Sequence, residues 1–177
     1  MRIIFTLIAT LFVFLPIAAK AQESASPAVE QAKNAYIKTS GLPIPRFISL
    51  AKNKVFMRTG PGLRYPIRWV YTKKQMPIEV IQEFDTWRKV RDVDGAEGWI
   101  HQSLLSGKRT ALAQGEEGAI MLKKPESAAR PVAMIESGVI LTLESCAQKW
   151  CKATVDGFKG WIEKKSLWGV YADEELD

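Results

Sequence analysis

The sequence predicts an all-β protein built from two small domains in tandem, and three observations carry that expectation. A motif occurs twice: Trp87-Arg88-Lys89-Val90-Arg91, Asp94-Gly95 and Gly98-Trp99-Ile100-His101, then Trp150-Cys151-Lys152-Ala153-Thr154, Asp156-Gly157 and Gly160-Trp161-Ile162-Glu163. Each copy places an alternating run, an Asp-Gly turn and a Gly-Trp-Ile run in series, which is the pattern of two antiparallel strands joined by a tight hairpin. Nine Pro and twelve Gly punctuate short apolar runs, and helical periodicity is missing from most of the 177 residues.

The chain begins with Met1-Arg2, an almost unbroken apolar run from Ile3 to Leu15, and the small-x-small site Ala19-Lys20-Ala21. That is the layout of a secretory signal peptide over residues 1–21, with cleavage after Ala21. A retained anchor helix is the alternative, but Pro16 interrupts the run before the roughly 18 apolar residues a span needs. The mature chain is therefore expected in the periplasm or secreted, without a membrane span, and the formal charge of +6 falls to +4 without Arg2 and Lys20. Residues 22–45 are rich in Ala, Ser, Pro and Lys and read as a flexible linker, with Ser26 and Pro27 able to start a short helix reaching Lys38.

The first domain is expected over 46–110. Val55–Arg58, Ile67–Tyr71, Ile78–Ile81, the Trp87 run and Gly98–Ile100 supply five short strands, and Thr59-Gly60-Pro61-Gly62 supplies a sharp loop. Five short strands left as an open sheet expose both edges, so they are expected to curl into a small, partly closed barrel. Trp99 and Trp161, set in alternating hairpins, are expected in the core.

The series Val55-Phe56-Met57-Arg58-Thr59-Gly60-Pro61-Gly62, Trp87-Arg88-Lys89-Val90, Gly95-Ala96-Glu97-Gly98-Trp99-Ile100-His101 and Leu104 resembles the bacterial Src-homology-3 (SH3b) domain, from about Phe47 to Leu105. Phe56 departs from it, standing where the family often has Asn. Gly41-Leu42-Pro43-Ile44-Pro45-Arg46-Phe47 and Leu167-Trp168-Gly169-Val170-Tyr171 further resemble an exported group of double SH3-like proteins from Gram-negative bacteria. The resemblance implies two SH3-like barrels and a binding role in the cell envelope.

The second domain is expected over 111–172, followed by an acidic tail at 173–177. Ile120–Pro125 stands where Val55–Gly60 stood, Pro131–Ile135 matches Pro66–Val70, and Val139–Leu143 precedes the second Trp strand. The Gly-Pro-Gly loop is missing here, so this copy reads as one that keeps the fold and has lost a binding surface. Cys146 and Cys151 are the only cysteines. A turn over Ala147–Trp150 sets them opposite each other on paired strands, and an oxidising compartment favours a disulfide over free thiols.

Charge is segregated. Residues 46–110 hold 13 Lys/Arg against 6 Asp/Glu, whereas 111–177 hold 8 against 11. The basic half suits anionic partners; nucleic acid is set aside because the leader directs the chain out of the cytoplasm. Two cysteines and one distant histidine do not make a tetrahedral metal site, and neither a phosphate loop nor a nucleophile elbow is present. No enzyme activity, cofactor or metal is expected. In the eukaryotic relatives a Trp at the position of Trp87 lines a peptide groove, so Phe56, Arg58, Tyr65, Trp87, Arg91 and His101 are the candidate ligand-binding residues, for peptidoglycan or an envelope protein or peptide. The rival reading is a structural scaffold or accessory subunit for an envelope enzyme, its two domains packed basic against acidic.

Overall fold

The computed structural model describes residues 39–177; the expected leader with its cleavage site, the expected helix and most of the expected linker lie outside them. Fourteen strands run β1 Arg46–Leu50, β2 Val55–Arg58, β3 Ile67–Tyr71, β4 Pro77–Phe84, β5 Trp87–Arg91, β6 Glu97–His101, β7 Leu105–Ser106, β8 Thr110–Ala113, β9 Ala119–Leu122, β10 Pro131–Ile135, β11 Ile140–Ala147, β12 Trp150–Val155, β13 Phe158–Glu163 and β14 Leu167–Trp168. They form two antiparallel sheets in the orders β3-β2-β6-β5-β4-β1-β7 and β10-β9-β13-β12-β11-β8-β14. The orders are the same element for element, so the duplicated motif is a duplicated barrel. Beyond the five strands expected in each copy, the first gains β1 and the short β7, which pair with each other and close off the β4 side.

The turns follow from local chemistry. Asp156 and Gly157 both take positive φ, 48° and 83°, as a two-residue hairpin loop between Val155 and Phe158 demands. In the first copy the loop is longer, because Arg91 pairs with Glu97. There the Asp92 carboxylate accepts the Asp94 and Ala96 N–H groups at 3.1 and 2.8 Å and the Tyr71 hydroxyl at 2.9 Å.

Each sheet coils around its own core, one built on Leu50, Val55, Met57, Ile78, Val80, Val90 and Ile100, the other on Ala119, Met121, Leu141, Ala153 and Ile162. Trp99 and Trp161 are not in either core, contrary to expectation. Alternation along β6 and β13 sends Ile100 and Ile162 inward together with Gly98 and Gly160, so the intervening tryptophan faces outward and is half-buried.

A second correction concerns the repeat's register. Ala119 pairs with Ile135 as Val55 pairs with Tyr71, and Ile120 pairs with Met134 as Phe56 pairs with Val70. The partner of Val55 is thus Ala119, one residue earlier than the sequence match placed it. A one-residue slip exchanges the faces of a strand. Ala119 and Met121 fill the core, and Ile120 is half-exposed.

Neither end of the described chain is loose. The Ser40 N–H and hydroxyl donate to the Glu83 carboxylate at 2.5 and 2.7 Å, so residues just before β1, read as linker, are fastened to the first barrel. Residues 173–177, read as a tail, are fastened to the second. Leu176 and Cys146 exchange backbone hydrogen bonds of 2.8 and 2.9 Å, Glu174 pairs with Arg109, and the Lys164 ammonium donates to the Ala172 and Glu174 carbonyls.

The barrels meet without a spacer. Phe47 of β1 packs on Trp168 and Tyr171 with ring centroids 5.1 and 4.7 Å apart, the Tyr171 hydroxyl donates to Glu79 at 2.7 Å, and the Thr110 hydroxyl donates to the Gln75 carbonyl at 2.7 Å. The junction is aromatic and hydrogen-bonded, where the rival scaffold reading had a basic face against an acidic one. Half-buried between Phe47 and Glu79, the Tyr171 phenol is pushed above its usual range by desolvation and then by the adjacent carboxylate.

Cys146 and Cys151 are disulfide-bonded, their Cα atoms 4.0 Å apart as directly opposed partners on β11 and β12. Closing so short a loop contributes on the order of 2 kcal/mol by chain-entropy reasoning. A Cys146→Ser, Cys151→Ser double variant is expected to lose that much in urea denaturation, and an unchanged midpoint would refute the estimate.

Candidate functional site

The six candidate residues fall into three groups. Arg58, at the end of β2, turns its guanidinium into the Gly-Pro-Gly loop and donates to the Leu63 and Tyr65 carbonyls at 3.1 and 2.7 Å. Tyr65 lays its ring on Gly60, where a Cβ would stand 2.5 Å from a ring carbon, and Arg64 stacks over the same ring at 5.2 Å. Arg58 and Tyr65 therefore build the loop and fill the space beside it. Phe56, two residues before Arg58, is half-buried with the Lys54 ammonium 5.4 Å from its ring centroid.

Trp87 and His101 form the second group. They are opposed across β5 and β6 and pack edge to face at 5.3 Å, which leaves Trp87 only 8% exposed. The Ser103 N–H donates to His101 Nδ1 at 3.3 Å and the Ser103 hydroxyl lies 2.8 Å from the same nitrogen, so the imidazole caps the short 3-10 helix over Gln102–Leu104.

Arg91 stands alone, four residues and about 13 Å along β5 from Trp87 at the usual strand rise. It pairs with Glu97 at 2.8 Å and Glu79 at 3.3 Å, and Lys89 reaches Glu97 at 2.8 Å. Lys89 first and Arg91 second hold the Glu97 carboxyl below the usual carboxylate range. Trp99, which the sequence reading assigned to the core, lies on this outer face between the two groups, with Phe84 edge-on at 6.5 Å.

The second barrel is more open on the equivalent face. A cavity of about 300 Å³ is lined by Ile120, Leu122, Met134, Trp150, Glu163 and Lys165, with Glu117 and Ser127 at its rim. By strand pairing Ile120, Leu122, Met134, Trp150 and Glu163 answer to Phe56, Arg58, Val70, Trp87 and His101. The decisive exchange is Arg58 for Leu122. Without a guanidinium to fold the loop back, and with the Gly-Pro-Gly loop gone, the face stays concave.

A family model described as bacterial SH3 domain matches residues 51–107 and again 115–169, one match on each barrel. The chain belongs to the bacterial SH3 domain family. Among curated proteins none matches the chain. Solved structures similar to it include NlpC2 and NlpC1 from Trichomonas vaginalis, each 14% identical with a TM-score of 0.33, covering 72% and 75% of this chain. The matched region spans about half, 49%, of either of those proteins.

Bacterial SH3 domains are generally binding modules. In this SH3 pair the cavity over Trp150 lies on the second barrel, on the face that carries Phe56, Arg58, Trp87 and His101 in the first. The signal that pointed to it was Trp150 in the repeated motif. It was obscured by the one-residue slip, which set Met121 and not Ile120 level with Phe56.

Proposed function

We propose that the protein is an exported, non-catalytic binding component of the cell envelope, and that its second SH3 barrel takes a short peptide bearing both charges, as the stem peptides of peptidoglycan do. The observation that carries this reading is the cavity over Trp150. Its floor is apolar, from Ile120, Leu122 and Met134, and its charged side chains are one lysine, Lys165, and two carboxylates, Glu117 and Glu163. An apolar concavity with a few fixed polar groups is the usual form of a small-ligand site. Carboxylate and ammonium in one groove complement a segment that presents an amine and a carboxyl. The Ala19-Lys20-Ala21 leader and the disulfide support an extracytoplasmic setting. The aromatic face of the first barrel, Trp87, His101 and Trp99, is a second contact for the same polymer.

The test is retention on purified cell-wall sacculi. Wild type is expected to sediment with them. Ile120→Asp, at a half-exposed position outside the core, is expected to weaken retention at least tenfold, and Trp87→Ala by less. If wild type stays in solution, or Ile120→Asp sediments like wild type, the reading fails. The rival, a scaffold for an envelope enzyme, draws support from the spacer-free junction through Phe47, Trp168 and Tyr171, which holds two binding faces in one fixed relation.

A further inference from the structure

From Phe47 to Ile78 the chain contains no Asp or Glu. Within that segment Lys52, Lys54, Arg64, Arg68, Lys73 and Lys74 are all exposed, and none of them pairs with a carboxylate among the described residues. Elsewhere on the first barrel Arg46, Arg88, Lys89 and Arg91 are each tied to Glu79, Glu83 or Glu97, while Lys108 is exposed without a carboxylate partner among the described residues. Most of the unpaired charge is thus gathered on the β2–β3 ribbon and the loops at its ends.

That ribbon also carries most of the first barrel's exposed apolar side chains, Phe84 on β4 being the other. β3 is the outer strand of its sheet, and four of its five residues are exposed. Alternation places Ile67 and Trp69 on one face and Arg68 and Val70 on the other, and neither face is covered. Ile67 is 46%, Trp69 54% and Val70 41% exposed, and Leu63, in the loop at the ribbon's end, is 78% exposed. The apolar surface of Trp69 and Val70 continues into a cavity of about 380 Å³ between the barrels, which reaches Met76, Val93 and Leu112.

We infer that the β2–β3 ribbon docks the first barrel on a bilayer surface rich in anionic phospholipid. The chemistry of the ribbon selects this partner. Cations without counter-ions are drawn to an anionic leaflet, Trp sits well at the level of the headgroups, and aliphatic side chains such as Leu63, Ile67 and Val70 gain from the acyl boundary but have nothing to gain from a hydrated polyanion. The attachment is peripheral, since among the described residues no helix is long and apolar enough to cross a membrane. The second barrel lacks the device: Glu117, Glu126 and Glu136 are interspersed with its ribbon's cations. The protein would then hold a membrane with one barrel while the other faces the wall.

Co-sedimentation with vesicles tests this, using the chain from Gln22 onward, which retains both barrels and leaves out the apolar leader that would itself enter a bilayer. Phosphatidylcholine vesicles with about a third phosphatidylglycerol are expected to bind the protein at 50 mM NaCl, and phosphatidylcholine alone at least tenfold more weakly. Raising NaCl to 300 mM is expected to cost a similar factor, because screening shortens the reach of surface charge. Arg64→Glu with Arg68→Glu is expected to weaken binding at least tenfold, and Leu63→Ser with Trp69→Ser several-fold with the salt dependence kept. The matched reversal on the second barrel, Lys123→Glu with Lys124→Glu, is expected to change binding less than twofold. Absence of binding at 50 mM NaCl, equal binding to both vesicle types, or equal losses from the two charge reversals would overturn the inference. None of these readouts depends on whether the Trp150 groove takes peptidoglycan.

Discussion

Valine in place of Gly98 is expected to destabilise the first barrel by about 3 kcal/mol, the upper end of the ordinary cost of overpacking a core. Gly98 lies opposite Val90 on β5 and points inward. A Cβ there would stand 2.6 Å from Met57 Cγ and 2.8 Å from the Arg58 carbonyl oxygen. Met57 is flexible and can yield. The carbonyl cannot, because Arg58 belongs to β2, which passes next to β6 at Trp99. Gly160 is placed in the same way in the second barrel, with Met121 Cγ at 2.5 Å and the Leu122 carbonyl oxygen at 2.6 Å, so Gly160→Val carries the same expectation. Gly107→Val is the control: no atom lies within 4 Å of its Cβ position, and it should unfold with wild type. Urea denaturation measures all three, and a Gly98→Val protein with the wild-type midpoint would show that β2 and β6 do not approach as described.

These glycines also show what the sequence could tell. The Gly-Trp-Ile runs, the Asp-Gly turns and the tandem duplication were legible because each is local: a turn needs its own residues and a hairpin needs two neighbouring strands. Which face each residue takes was harder to read. A tryptophan in an alternating run invites assignment to the core by its size, yet the glycine two positions from Ile100 is the better marker, since only a residue without a side chain leaves room for β2 to cross. The repeat slipped by one residue at β9 for a similar reason. Ile120 looks more like Val55 than Ala119 does, but Ala119 is the one buried. The roles of Arg58 and Tyr65 were out of reach of pattern, because whether an arginine beside a glycine-rich loop binds a ligand or the loop's own carbonyls depends on how the loop closes. The least legible feature joins Ser40 to Glu83 across 43 residues, from a stretch whose composition said linker.

That feature sets the second large effect. Glu83 is 3% exposed at its side chain; its carboxylate accepts from Ser40 twice and from Arg46 at 2.6 Å, and the Arg88 guanidinium forms an ion pair with it at 3.2 Å. Burial by itself would raise its pKa; the Ser40 N–H and hydroxyl, Arg46 and then Arg88 outweigh burial and bring it down to about 2. A carboxyl that ionises near 2 when folded and near 4.5 when unfolded contributes on the order of 3 kcal/mol in its charged form. Because the folded value is the lower one, that contribution is complete above pH 4.5 and is lost as pH falls from there towards 2. Glu83→Gln keeps the shape, removes the charge and leaves Arg46 and Arg88 without their carboxylate, so at pH 7 it is expected to cost about 3 kcal/mol. The gap between wild type and variant should then narrow steadily below pH 4.5 and nearly vanish near pH 2, as the wild-type carboxyl takes up its own proton. Urea midpoints at pH 7, 4.5, 3 and 2 read the gap directly, and one that stays constant over this range would mean that Glu83 holds Ser40 and the two arginines by shape and not by charge.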